Sequence, residues 1–167
     1  VFVSEGVNVK MAEGFVSTPM VSLGAVKLGC SLGVVITASH NPPSYNGFKL
    51  KSHHGGPLSP GKVQEIEDII LDTNTIDLEA VSLDSKLVEW IDLETMYVDH
   101  AKANFDLKAI EDSGLVLAYD AMYGAGQNIL PKVLNNVTEL HAEVNPTFGE
   151  VKHPEPIPHN LHEFLDI

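Results

Sequence analysis

Apolar and polar residues follow two different periods along this 167-residue chain, and these periods predict its elements. The β-branched run V-V-I-T at residues 34–37 follows Gly33 directly, and such a run is typical of a strand buried on both faces, as in parallel sheets. A similar apolar run predicts a second buried strand over residues 115–119, and a third strand is predicted over residues 137–144. Helical spacing occupies much of the chain between these strands.

Capping residues mark where the helices begin. Ser17 or Thr18 is placed to cap a helix with Pro19 at its first position, and Ser59-Pro60 starts another helix. The apolar stripe of this second helix is predicted to consist of Val63, Ile66, Ile69 and Ile70. Further helices are predicted over residues 93–105, 107–113, 129–134 and 160–167, and Gly114 closes the one that ends at 113.

The composition changes near residue 105, which divides the chain into two parts. Each part contains strands alternating with helices, so the sequence predicts an α/β fold with two domains, 1–105 and 106–167, both cut short. Residues 73–84 show no firm period and are predicted to be a connector. Because the chain does not begin with methionine, we expect it to be a piece of a longer protein.

The loop after the first buried strand is the strongest candidate for a site. Tandem prolines at 42 and 43 forbid both helix and strand pairing, and a second strand leaves after the turn dipeptide N-G at 46–47. The loop therefore presents a hydroxyl, an imidazole and an amide, those of Ser39, His40 and Asn41. They follow the carboxyl end of a strand, which is where open α/β sheets bind their ligands.

Charge and composition exclude several classes of function. A net charge of −13 argues against nucleic acid and anionic membranes as partners, because both would repel the chain. Cys30 is the only cysteine, so no internal disulfide can form and a reducing cytoplasm is the expected location. No apolar run approaches the ~20 residues that span a bilayer. The eight histidines match no zinc-binding spacing.

The residues alone leave alternatives open. Ser39 could cap a turn or act as a nucleophile, but a hydrolase is not expected, since adjacent Ser39 and His40 cannot easily hydrogen-bond and the G-x-S-x-G elbow is absent. The G-A-G sequence at 124–126 could seat a nucleotide phosphate, although tight strand–helix packing is the stronger interpretation. For Asp120, at the end of the second strand, a turn or cap role is favoured over that of a ligand.

Two motifs resemble a known family. T-A-S-H-N-P at 37–42, followed by Y-N-G-F-K at 45–49, is similar to the phosphoserine loop of the α-D-phosphohexomutases, which include phosphoglucomutases and phosphomannomutases. The G-G-P-L, D-A-M-Y-G-A-G and P-E-P segments agree as well. The resemblance implies three-layer α/β/α units with mixed, mostly parallel sheets, covering the end of a first domain (1–105) and the start of a second (106–167).

The resemblance also implies roles for the loop residues. Ser39 would carry the phosphoryl group, and its phosphate would be one Mg²⁺ ligand. His40 and Lys49 would contact the phosphoserine or move protons, with Lys49 the better general acid or base and His40 equally well an electrostatic clamp. Thr37 and Asn41 would belong to the loop that holds phosphate and substrate, with Asn41 shaping it.

The implied reaction interconverts hexose 1-phosphates and 6-phosphates through a bisphosphate, with glucose 1,6-bisphosphate as intermediate or activator. The family's D-G-D-x-D-R metal loop does not occur here, so the remaining Mg²⁺ ligands are expected outside this chain and the fragment should be nearly inactive. Self-association through exposed sheet edges is a further hypothesis. A nucleotide-binding module and a non-catalytic interaction fragment remain as alternatives, and the hexose is not determined.

Overall fold

A computed structural model describes residues 1–72, 77, 86–149, 151 and 153–167, so the connector predicted at 73–84 lies outside the described residues except for residue 77. The strands are β1 (Val9–Ala12), β2 (Leu32–Thr37), β3 (Gly47–Ser52), β4 (Val88–Ile91), β5 (Leu117–Asp120) and β6 (Val137–Leu140). The helices are α1 (Thr18–Lys27), α2 (Pro60–Glu67), α3 (Leu93–Asn104), α4 (Leu107–Asp112), α5 (Leu130–Val133) and α6 (His162–Leu165).

Local sequence signals coincide with several of these boundaries. Ser17 is the N-cap residue of α1 as predicted, but its side chain makes no capping hydrogen bond; the helix ends before Gly29, whose φ is +61°. Asp92 caps α3, because its Oδ1 accepts a hydrogen bond of 2.9 Å from the Thr95 backbone N–H. Hydrogen bonds from the Thr95 side chain and backbone lower the pKa of Asp92 below its ordinary value. These starts confirm the helices predicted at 18 and 93.

The strands form three pairs in the described part of the chain. β1 and β4 are parallel, with Val9 opposite Val88, and β5 and β6 are parallel, with Leu117 opposite Val137. β2 and β3 form an antiparallel pair from Leu32 opposite Ser52 to residue 37 opposite residue 47. The fold is therefore α/β, as the sequence predicted, with parallel and antiparallel strand pairs in separate sheets among the described residues.

One hydrophobic cluster contains residues from both predicted domains, before and after residue 105. Its buried members are Met20, Leu93, Val98 and Ile129. α1 and α3 pack so closely that a Cβ built on Gly24 would lie 2.5 Å from Leu93 Cδ2. An ion pair between Lys132 of α5 and Glu94 of α3 supplements this packing. No helix among the described residues has the length and apolar character needed to cross a membrane.

The prediction that the first strand is buried on both faces is wrong. Val35 of β2 is 6% exposed, but its neighbour Ile36 is 61% exposed. Helix α1 covers only one face, since a Cβ built on Gly33 would lie 3.3 Å from Val21 Cγ1. The strand also pairs in an antiparallel hairpin, and a hairpin can leave its second face uncovered.

Two other apolar segments are more exposed than their pattern predicts. Helix α2 buries none of its residues, and Ile69 and Ile70 of its predicted stripe follow the helix with 74% and 69% of their surface exposed. In the second apolar run, β5 begins only at Leu117, and Val116 before it is 92% exposed. Periodicity identified apolar faces here, but it could not identify what covers them.

Candidate active site

The turn after β2 is built around a backbone conformation that is unusual for serine. Ser39 has a φ of +55°, in the left-handed region that L-residues other than glycine, asparagine and aspartate rarely adopt. Its backbone N–H donates a hydrogen bond of 3.0 Å to Oγ1 of Thr37, the last residue of the strand. Such a strained residue at the end of a strand is typical of functional loops.

Asn41 closes the turn from its other side. Its backbone N–H and its side-chain Nδ2 each donate a 3.0 Å hydrogen bond to the carbonyl of Ala38. The hairpin then returns through Gly47 opposite Thr37, and a Cβ at Gly47 would lie 3.1 Å from the Thr37 carbonyl oxygen. The loop is thus held by its own backbone and leaves the serine hydroxyl free of backbone partners in the described part of the chain.

The serine and histidine side chains meet, although the sequence argument held that they could not easily do so. Ser39 Oγ lies 3.4 Å from His40 Nδ1, at the long end of hydrogen-bond range. On the far side of the ring, His40 Nε2 lies 3.6 Å from Oε1 of Glu155. Glu155 is a contact that sequence reasoning missed, because no pattern links it to a loop so far away in the chain.

Lys49 lies on β3, directly opposite Val35. Alternation along the hairpin puts Lys49 on the same face as Thr37, whose hydroxyl holds the Ser39 backbone. The lysine side chain is exposed and makes no ion pair with the other described residues. The role that the resemblance implies for Lys49, contact with a phosphate on Ser39 or proton transfer, stays a prediction.

A second polar cluster lies at the carboxyl ends of β5 and β6. Asp120 Oδ1 accepts a hydrogen bond of 2.8 Å from the Met122 backbone N–H and lies 2.9 Å from His141 Nδ1. His141 Nε2 in turn lies 3.3 Å from Oε2 of Glu163 in α6. This is the turn role favoured for Asp120. Its Oδ2 is buried and has no hydrogen-bond partner among the described residues.

Burial and charge shift two pKa values in this cluster. Burial lowers the pKa of His141, but the hydrogen bond and charge of Asp120, followed by those of Glu163, outweigh it and raise that pKa above its ordinary 6.5. The pKa of Tyr123 is raised by burial and then by nearby carboxylates, and its ring lies 4.8 Å from that of His141.

The G-A-G sequence fits packing better than phosphate binding. A Cβ on Gly126 would lie 2.4 Å from the Tyr119 hydroxyl, so the glycine lets this segment approach β5 closely. The next helix, α5, begins only at Leu130 and is four residues long. The described part of the chain also contains no group of three His, Cys, Asp or Glu side chains able to hold a metal ion.

Comparison with known proteins identifies the family of this chain. Residues 1–77 match the model of the phosphoglucomutase/phosphomannomutase α/β/α domain I, and residues 95–167 match that of domain II. The chain belongs to this family of α-D-phosphohexomutases. The serine loop lies within the domain I match, and Glu155 and the Asp120 cluster lie within the domain II match.

Individual relatives carry several family names. The chain is 32% identical to a phosphoglucomutase of Staphylococcus haemolyticus over 93% of its length, and 35% identical to a phosphoglucosamine mutase of Alkaliphilus oremlandii over 86%. It covers 30% of each relative. A crystal structure from Thermus thermophilus, assigned as a phosphomannomutase, superposes with a TM-score of 0.80 at 34% identity, covering 96% of this chain and 36% of that one. The chain thus spans about a third of these proteins.

Proposed function

We propose that the protein carrying this sequence is a phosphohexomutase that interconverts hexose 1-phosphates and 6-phosphates through Ser39. The observation that carries the proposal is the turn after β2, which holds the Ser39 hydroxyl on a strained, self-supported backbone in a segment matched by family domain I. Because the chain spans about a third of its relatives, the activity is proposed for the whole protein, and this stretch alone should be nearly inactive.

Each phosphoryl transfer is balanced within the site. The bond from Ser39 Oγ to phosphorus breaks, the bond from a sugar hydroxyl oxygen to phosphorus forms, and the hydroxyl proton ends on Ser39 Oγ. The hexose 1,6-bisphosphate then turns around and returns its other phosphate to the serine. Positioning and charge stabilisation do most of the catalytic work in such reactions.

His40 and Lys49 supply the charge and proton handling nearest the serine. His40 lies 3.4 Å from Ser39 Oγ, so it could clamp the phosphoserine or move its proton. Lys49 shares a sheet face with Thr37 and would offset the phosphate charge or act as general acid and base. Thr37 and Asn41 hold the backbone of the loop in place.

Magnesium enters the proposal only through the phosphoserine. The described residues contain no cluster that could bind a metal, so they do not form a complete Mg²⁺ site. The phosphate on Ser39 would contribute one ligand, and the others would come from outside this chain. Bound Mg²⁺ would offset the charge of the phosphoserine, which is nearly two negative charges.

Hexose phosphates are the proposed substrates, with glucose and mannose phosphates the first to test and glucose 1,6-bisphosphate the proposed activator. The chain's negative charge gives no support to nucleic acid or membrane partners. Self-association through the free sheet edges is proposed for this stretch alone, since β2 and β3 pair only with each other among the described strands. Sedimentation that shows a stable monomer would contradict it.

Intact-mass analysis tests the proposal directly. Incubation of the intact protein with glucose 1,6-bisphosphate and Mg²⁺ should add one phosphoryl group to the wild type and none to Ser39→Ala. Ser44→Ala, in the same exposed loop, is the matched control and should still take up the phosphate. If the intact protein never carries phosphate on Ser39, the mutase proposal fails and the non-catalytic alternative is favoured.

A further inference from the structure

A carboxylate, an imidazole and a hydroxyl make two consecutive contacts at the candidate site. Oε1 of Glu155 is 3.6 Å from His40 Nε2, and His40 Nδ1 is 3.4 Å from Ser39 Oγ. The two contacts use opposite nitrogens of one ring. A group that sets the protonation of one ring nitrogen therefore also sets whether the other nitrogen donates to the serine hydroxyl or accepts from it.

The charge of Glu155 favours one tautomer of the neutral His40 ring. A carboxylate accepts hydrogen bonds and does not donate them, so the approach of Glu155 Oε1 to 3.6 Å favours the ring form that carries its hydrogen on Nε2. In the neutral ring Nδ1 is then an acceptor, and it faces the Ser39 hydroxyl, which can donate. The serine Oγ is thereby given a preferred hydrogen direction, which leaves its lone pairs directed away from the ring.

Glu155 is held on a stiff segment, although its side chain is 43% exposed. Prolines 154 and 156 flank it and restrict its backbone. Asn160 Nδ2 donates hydrogen bonds of 2.9 Å to the Glu155 carbonyl and 2.8 Å to that of His153. The backbone that carries the carboxylate is therefore fixed from within its own loop.

We propose that Glu155 is a positioning residue for Ser39 that acts through the His40 ring. This role rests on the proposed function of Ser39 as the phosphoryl carrier. Glu155 lies in the segment matched by domain II, and its contact with His40 connects that segment to the serine loop matched by domain I. An exposed pair of this kind contributes little to folding, so its effect should be on the transfer rate and not on stability.

The main experiment measures the initial rate at which glucose 1,6-bisphosphate phosphorylates Ser39 in the intact protein. Glu155→Ala should lower this rate about two- to fivefold, as expected for an exposed charged pair, with an unchanged KM. Glu155→Gln should recover part of the loss, since its amide oxygen can still accept from Nε2. Glu67→Ala, at an exposed position of α2, is the control and should match the wild type.

A double-mutant cycle separates positioning from a general structural effect. In a His40→Ala background, Glu155→Ala should have no further effect, because the ring through which it acts is gone. The same fall in both backgrounds, or no fall in either, would overturn the role of Glu155. Nitrogen-15 NMR of the neutral His40 ring should show hydrogen on Nε2, and a predominant Nδ1–H tautomer would also overturn it.

These outcomes are distinct from failure of the proposed function. A wild type that takes up phosphate on Ser39 while Glu155→Ala reacts equally fast refutes only the positioning role. A wild type that never takes up phosphate on Ser39 refutes the mutase itself, and the positioning role with it.

Discussion

The polar turns that follow β2 and β5 have the same local hydrogen-bond geometry but differ in how exposed they are. At the end of β2, Thr37 Oγ1 accepts the backbone N–H two residues ahead, and at the end of β5, Asp120 Oδ1 does the same at 2.8 Å. In each turn the residue that donates this N–H has a positive φ: +55° at Ser39 and +47° at Met122. Each turn also contacts a histidine that reaches a carboxylate from a distant segment.

The two histidines differ mainly in exposure. The His40 side chain is 60% exposed and its contacts are 3.4 and 3.6 Å, whereas that of His141 is 17% exposed with contacts of 2.9 and 3.3 Å. A buried polar network contains strong hydrogen bonds, and removing one of its members lowers the stability of the fold. A solvent-exposed network leaves its groups available to a ligand. We infer that the Asp120 cluster stabilises the fold and that the Ser39 loop serves chemistry.

Removing Asp120 should have the largest effect on stability. Asp120→Ala leaves the Met122 N–H and one His141 nitrogen without their partner in a nearly closed site, so the free energy of unfolding should fall by about 2–3 kcal/mol. Ser39→Ala, at the wet strand end, should change it by less than about 0.5 kcal/mol. Urea unfolding measures both, and equal losses would remove the distinction between the two strand ends.

Gly126→Ala should have the next largest effect and tests why the second strand end contains glycines. A Cβ there would lie 2.4 Å from the Tyr119 hydroxyl, so we expect a loss of about 1–3 kcal/mol in the free energy of unfolding. Gly61→Ala in α2, where a Cβ meets nothing within 4 Å, should instead be neutral or slightly stabilising. If Gly126→Ala is harmless to folding but abolishes ATP or NAD binding, the packing interpretation is wrong.

The sequence predicted the positions of helices and strands better than it predicted which of their faces are buried. Asp92 marks the start of α3 through a side-chain hydrogen bond and Gly29 follows the end of α1 through its backbone freedom, and such signals act within a few residues. The exposure of Ile36 and Val116 depends on which segments pack against β2 and β5, which no local pattern encodes. The β-branched run therefore gave the strand correctly and its burial incorrectly.

The site divides in the same way. The loop from Thr37 to Asn41 could be identified because its motif is contiguous in the sequence and its geometry is set by its own hydrogen bonds. Glu155 and the pairing of Asp120 with His141 could not be identified, because they join segments far apart in the chain. Tertiary contacts between single charged residues leave no periodic trace.

Ser39→Gly should have a smaller effect, and of opposite sign. A non-glycine residue in the left-handed region destabilises the folded state by about 1–2 kcal/mol, and glycine removes this strain. Glycine also raises the conformational entropy of the unfolded chain, which cancels part of the gain. We therefore expect Ser39→Gly to stabilise the protein by about 0.5–1 kcal/mol while abolishing phosphate uptake. Ser44→Gly, without a positive φ, should not stabilise it. A destabilised Ser39→Gly variant would show that the serine supports the fold.

The pH dependence of stability should give the smallest effect, and it depends on His141 in the Asp120 cluster. Because the pKa of His141 in the folded state lies above its ordinary 6.5, charged His141 stabilises the fold fully below about pH 6.5, and this contribution is lost as the pH rises through the folded-state pKa. The groups facing the ring are Asp120 on β5, Glu163 on α6 and Tyr123 in the turn.

Urea unfolding across about pH 6 to 8 should therefore show the wild type losing stability relative to His141→Gln as the pH rises. Glu163→Gln should reduce the slope without removing it, since Asp120 makes the shorter contact with the ring. Parallel curves for wild type and His141→Gln would mean that protonation of His141 is not coupled to folding through its carboxylate partners.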